Sequence, residues 1–205
     1  MSKPRRPPQE NLQLAARLAF ERLCGQSDEQ FRWLGADLSG GVWRLPVLGD
    51  VLDVDISARR IVASAGGRVG LRWSILVLHY LAVGARPEQV EPSVTFADLG
   101  TARSYAGVYA ARVTERLCHA TGGRLESLRV GADALGAQAA EGGDAAFDFQ
   151  PFPRIKLRLI WHAGDDEFPA TATLLLPRNI ESYFCCEDIV VLSENLVARL
   201  AGRLF

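Results

Sequence analysis

The sequence predicts an α+β fold: a single domain whose antiparallel sheet is covered on one face by helices, with an amphipathic helix at each end. Three observations carry that expectation. Helical stripes of apolar residues mark the two ends of the chain, two-residue alternation marks the strands, and short Gly/Asp turns separate the alternating runs. A chain of 205 residues, 48% of them hydrophobic, suffices for the core of one domain and would be cramped as two. Residues 10–205 are assigned to that domain, and the basic, proline-rich segment 1–9 to a flexible N-terminus.

In chain order, "ENLQLAARLAFERLC" puts Leu12, Ala16, Ala19 and Leu23 on one helical stripe that Gly25 ends. Ser27 followed three residues later by Gln30 fits a capping box and opens a short second helix. In "VWRLPVLGDVLDVDIS" the residues Leu52, Val54 and Ile56 alternate with Asp53 and Asp55, as in a half-buried strand, with Gly49-Asp50 as a turn. "RRIVAS" adds a strand before Gly66-Gly67. "LRWSILVLHYLAVG" is apolar almost all round and predicts a buried helix, with a strand as the alternative for so short a run. "PSVTFADLG" suits a loop with one helical turn, and "ARSYAGVYAARVTERLCHATGG" a single helix. The Ala- and Gly-rich "VGADALGAQAAEGGDAA" predicts a flexible connection, or a loose helix plus loop. "RIKLRLIWH" and "ATATLLLP" alternate as two strands of an antiparallel hairpin with Gly164-Asp165 at its tip. "EDIVVLSENLVARLAGRLF" closes the chain as a helix carrying Ile189, Leu192, Leu196 and Leu200 on one side.

Charge and composition exclude some partners. The net charge of -1 balances 23 basic against 24 acidic side chains, without the basic excess expected for nucleic-acid or anionic-membrane binding. No run reaches the roughly 18 apolar residues of a membrane span, and no apolar signal-peptide core follows the basic start. The expected location is therefore the cytoplasm. Cys24, Cys118, Cys185 and Cys186 have no spacing typical of a disulfide framework, zinc site or iron-sulfur cluster, so free thiols are expected.

Two places stand out as sites. In "WHAGDDEFP" the carboxylates Asp165 and Glu167 converge if the chain turns there, and His162 ends the strand before them. Such a group suits a cation or an acid/base pair, making Asp165 and Glu167 the catalytic candidates. The same residues also suit a plain hairpin tip with solvated acids. His79, within "ILVLHYLAV", is carried into an apolar environment, where an imidazole serves either as an axial metal ligand or as a core residue bonded to backbone carbonyls or tyrosine. Phosphate-loop, dinucleotide-fold, nucleophile-elbow and zincin motifs are absent.

"ILVLHYL", "TFADLG", "GGDAAFDFQPFPRIKLRLIWHAGDDEFPATATLLLP" and "EDIVVLSENLVARL" together resemble a prokaryotic family, the domain of unknown function numbered 3786. The likeness runs from about Val42 to the C-terminus. Its most specific part is "FPRIKL" followed by "W-x-x-G-D-x-E-F-P". The positions matching the family pattern include His79, Tyr80, Pro153, Trp161, Gly164, Asp165, Glu167, Phe168 and Pro169. Some members resemble anaerobe proteins in which a four-cysteine, corrinoid-protein-like iron-sulfur domain precedes this one; this chain lacks those cysteines. The resemblance implies an accessory protein that binds a corrinoid, haem or other tetrapyrrole, with His79 as metal ligand and Tyr80 and Trp161 beside the cofactor. It further implies a redox or methyl-transfer protein as partner. A small hydrolase or lyase using Asp165 and Glu167, and a docking scaffold, are the alternatives. Trp161, Phe168 and Pro169 are expected to anchor the hairpin in the core.

Overall fold

A computed structural model describes residues 9–102, 105–120 and 123–205. Of the expected flexible N-terminus, residues 1–8 lie outside the described part, and Gln9 already opens the first helix. Helices α1 (Gln9–Leu23) and α2 (Asp28–Trp33) lead into strands β1 (Asp37–Ser39), β2 (Val42–Val47), β3 (Asp50–Asp55), β4 (Arg60–Ala63) and β5 (Gly67–Arg68), which form an antiparallel meander. Helix α3 (Leu71–Leu81) follows, then edge strand β6 (Pro92–Val94) and helices α4 (Ala106–Arg112), α5 (Thr114–Ala120) and α6 (Leu125–Ala134). Strands β7 (Gln138–Ala140), β8 (Ala145–Phe152), β9 (Ile155–His162) and β10 (Thr171–Pro177) build a second antiparallel sheet in the order β6-β10-β9-β8-β7, and α7 (Cys186–Leu200) closes the fold.

The class is α+β, with two five-stranded sheets where the alternation suggested one. Each sheet buries one face. In β9 the residues Ile155, Leu157, Leu159 and Trp161 are buried, while Lys156 and Arg158 on the other face pair with Glu91 and Asp148. In β3, Leu52 and Val54 are buried and Asp53 instead accepts a hydrogen bond from Ser64 at 2.6 Å. One continuous apolar core runs through both sheets and the helices. The sheets meet where the β2–β3 turn touches β8, through a bond from Leu48 N–H to Gln150 C=O at 3.3 Å. That turn places both Leu48 (φ 47°) and Gly49 (φ 79°) in the left-handed region, the geometry of a tight hairpin. The reversal thus falls one residue earlier than Gly49-Asp50. A side chain at residue 49 would also approach the Leu135 carbonyl oxygen within 2.9 Å, so glycine is required there twice over.

Other differences are local. The helix expected as one piece before Gly123 is two, broken at Val113 (ψ -73°), where Thr114 turns its hydroxyl back onto the Ala110 carbonyl at 3.1 Å. The flexible segment is instead ordered as α6 and β7. Gly131 lets α6 approach α7 so closely that a Cβ there would stand 2.5 Å from the Leu200 carbonyl oxygen. Ser27 caps α2 as expected, but Gln30 does not reach back to complete the box. Its amide donates to the Val83 and Ala85 carbonyls, both at 2.9 Å, and thereby fastens α2 to the end of α3.

Candidate functional site

His79 lies in the last turn of α3 and Asp188 in the first turn of α7. Each is favoured there by the partial charge of its own helix end. His79 Nδ1 stands 2.9 Å from Asp188 Oδ2, with the imidazole side chain 27% and the carboxylate 13% exposed. The same oxygen accepts from Cys185 Sγ at 3.1 Å. Burial raises the Asp188 pKa, but the hydrogen bond and charge of His79 and the bond from Cys185 outweigh it, so the carboxyl is held below its ordinary value. An ionised Asp188 accepts only, so Nδ1 must carry the hydrogen, and in the neutral ring the lone pair lies on Nε2. Nε2 makes no hydrogen bond among the described residues. The imidazole is consequently a preset donor atom facing outward. Cys185, in contrast, is not activated: burial, its bond to Asp188 and the charge of Asp188 push its pKa up.

The acidic turn has a structural explanation for one of its two carboxylates. Asp165 Oδ1 accepts from the backbone N–H of Glu167 (2.9 Å) and Phe168 (2.7 Å), while Asp165 N–H donates to the Phe168 carbonyl (2.9 Å). Those amide bonds hold the Asp165 carboxyl below its ordinary pKa. A Cβ at residue 164 would lie 2.5 Å from Ala170 N, which accounts for Gly164. Asp144 braces the same turn by accepting from Ala163 N–H at 2.8 Å. Glu167 is exposed and takes no side-chain hydrogen bond among the described residues. Phe168 and Pro169 correct the expectation of core anchors: both are exposed, Phe168 to 67%, because the tight Asp165 loop lifts them off the sheet.

Tyr80 and Trp161, expected beside a cofactor, are both core residues with no exposed surface. Tyr80 stacks on Phe152 at 4.5 Å; its hydroxyl donates to the Leu34 carbonyl (2.6 Å) and accepts from Arg154 N–H (3.2 Å). It staples α2, α3 and the β8–β9 turn together. Arg154 completes the staple over the Trp33 ring at 4.6 Å, and Pro153 fills the place a side chain would take at Gly35. Trp161 is buried with its indole N–H unpartnered among the described residues.

The largest concave feature lies elsewhere, in a groove of about 670 Å³ between α5 and β10, bordered by Thr114, Cys118, His119, Ala170 and Thr171. The acidic loop therefore sits beside that groove, which Pro169 also borders, whereas His79 does not line it. The expected convergence of His79 with Asp165 and Glu167 does not occur, and His162 stands exposed at the end of β9, across from Thr171. A third charged group has no counterpart among the sequence motifs. Glu194, with its side chain 8% exposed, receives Arg112 in a two-pronged bond (2.8 Å each), Arg72 at 3.1 Å and Arg116 at 3.6 Å. Its partners come from α3, α4 and α5, so no local spacing announces them. Asp188 escapes sequence reasoning for the same cause, being 109 residues from His79.

Residues 29–199 match the model of the family described as domain of unknown function (DUF3786), and the chain belongs to that family. No curated protein and no solved structure matches it.

Proposed function

For a member of this family with such a site, we propose an accessory binding protein that offers His79 as axial ligand to a metal-centred macrocycle, a corrinoid or other tetrapyrrole. The single observation behind this reading is the 2.9 Å contact of Asp188 with His79 Nδ1, which leaves Nε2 outward and unbonded. Metal-ligating histidines commonly hold the other ring nitrogen against a carboxylate in this manner. No three His, Cys, Asp or Glu side chains gather as a metal group among the described residues. One imidazole without companions suits a metal whose equatorial positions are already filled by its ring. When bound, such a group would supply redox or alkyl-carrier chemistry; the chain's own residues hold and orient it. Because Tyr80 and Trp161 are enclosed, the macrocycle would rest on the surface at the junction of α3 and α7, shared with a redox or methyl-transfer partner. The acid/base reading gains no comparable support, since Asp165 is engaged by its own turn.

Adding aquocobalamin or ferric haem to the purified protein is expected to shift the visible absorption bands. His79→Ala abolishes the shift, and Asp188→Asn weakens binding by about 10- to 100-fold. Absence of a shift, or its survival in His79→Ala, would overturn the proposal.

A further inference from the structure

Helix α5 separates two cavities, and His119 borders both. On one side is the apolar groove against β10, about 670 Å³. On the other, against α7, is a smaller pocket of about 270 Å³ bordered by Arg112, Arg116, Arg203, Glu194 and Ala198. Arg112, Arg116 and His119 follow one another at spacings of four and three residues, so they share one helical face; Glu115 and Cys118 share the next. In the smaller pocket three guanidinium groups meet one carboxylate, an excess of two positive charges in a concave wall. Arg112 is occupied by Glu194, Arg116 stands 62% exposed with only a 3.6 Å approach to it, and the Arg203 guanidinium has no acidic partner among the described residues. Unbalanced guanidinium groups in a recess favour a carboxylate or phosphate, which they bind as a planar fork.

We propose that this pair of cavities binds one amphipathic organic anion: an apolar body in the α5–β10 groove and a carboxylate or phosphate head, passing His119, between Arg116 and Arg203. Two features fit one molecule of that kind. The groove has the volume of an ordinary small-ligand site, and the charge excess lies across the shared His119 rather than inside the apolar part. Glu115, on the groove wall, disfavours an anionic head there and so fixes the direction of entry. The site uses none of His79, Asp188 or Cys185, so it stands or falls separately from the axial-ligand proposal.

The test is displacement of bound 1-anilinonaphthalene-8-sulfonate from the full chain by decanoate, decyl phosphate and decanol. Either anion should displace the probe at a concentration about tenfold below that of decanol, as expected of one charge-assisted contact. Whichever anion is effective at the lower concentration identifies the preferred head group. Arg203→Glu, made beyond the last turn of α7, should abolish the preference for anions while leaving decanol unchanged. Thr171→Trp, at an exposed strand position bordering the groove, should weaken all three competitors. His79→Ala should alter none of these results. Equal displacement by decanol and decanoate, an Arg203→Glu variant with its preference intact, or lack of saturable probe binding to the native chain would each overturn the inference.

Discussion

The Tyr80 hydroxyl bridges two backbone groups that no nearby element could satisfy, the Leu34 carbonyl and the Arg154 N–H. Tyr80→Phe leaves both buried ends unpaired, with an expected loss of about 1–3 kcal/mol in urea unfolding. A loss under about 0.5 kcal/mol would show that neither bond matters to stability. Two carboxylates give the stability its acid dependence. Asp188 and Glu194 are each raised by burial and lowered further by their cationic partners, ending below their ordinary values. The sign follows directly: a depressed folded pKa contributes stability that is complete above the unfolded value, near pH 4, and is lost as pH falls through the folded one. The melting temperature is expected to be insensitive to these groups from pH 7 to about 5 and to fall below about 4. In Asp188→Asn the acid limb should be shallower; an unchanged limb would remove Asp188 from that account.

At the scale of elements, Glu194 is the point at which α7 holds α3, α4 and α5, each through one arginine. Glu194→Ala would leave Arg72, Arg112 and Arg116 repelling one another around a buried gap. The expected cost is about 3 kcal/mol by thermal or urea unfolding, the lower end for breaking a buried pair because Arg116 is solvated. Retention of native stability would mean that the three arginines find other partners. Some elements are legible in the amino-acid order alone. The apolar run of α3, the stripe of α7 and the alternation of β9 and β10 each extend over seven or more residues, long enough for a period to declare itself. The strand "QAA" of β7 has no alternation to detect, and the break at Val113 arises from a hydroxyl contact within an otherwise helical pattern.

The whole molecule shares one apolar core, even though its strands divide into two sheets. That division is hidden in the sequence, because it depends on which strands pair, and pairing is decided by contacts distant along the chain. The hairpin tip of Asp165 is legible as turn chemistry, while the fate of His79 rests on Asp188 from the far end of the chain. With a continuous core, unfolding should be a single transition. Tryptophan fluorescence, reporting from Trp43 in the first sheet and Trp161 in the second, should coincide with far-ultraviolet circular dichroism. Two separated transitions would show that the sheets are independent units.

The sheets end in strands β1, β5, β6 and β7, none longer than three residues. A foreign strand needs a longer row of free amides and carbonyls than these to dock upon, and Pro92 removes one donor from β6. Brevity at the margins therefore protects the folded protein against fibril seeding, whatever the apolar content of the strands between.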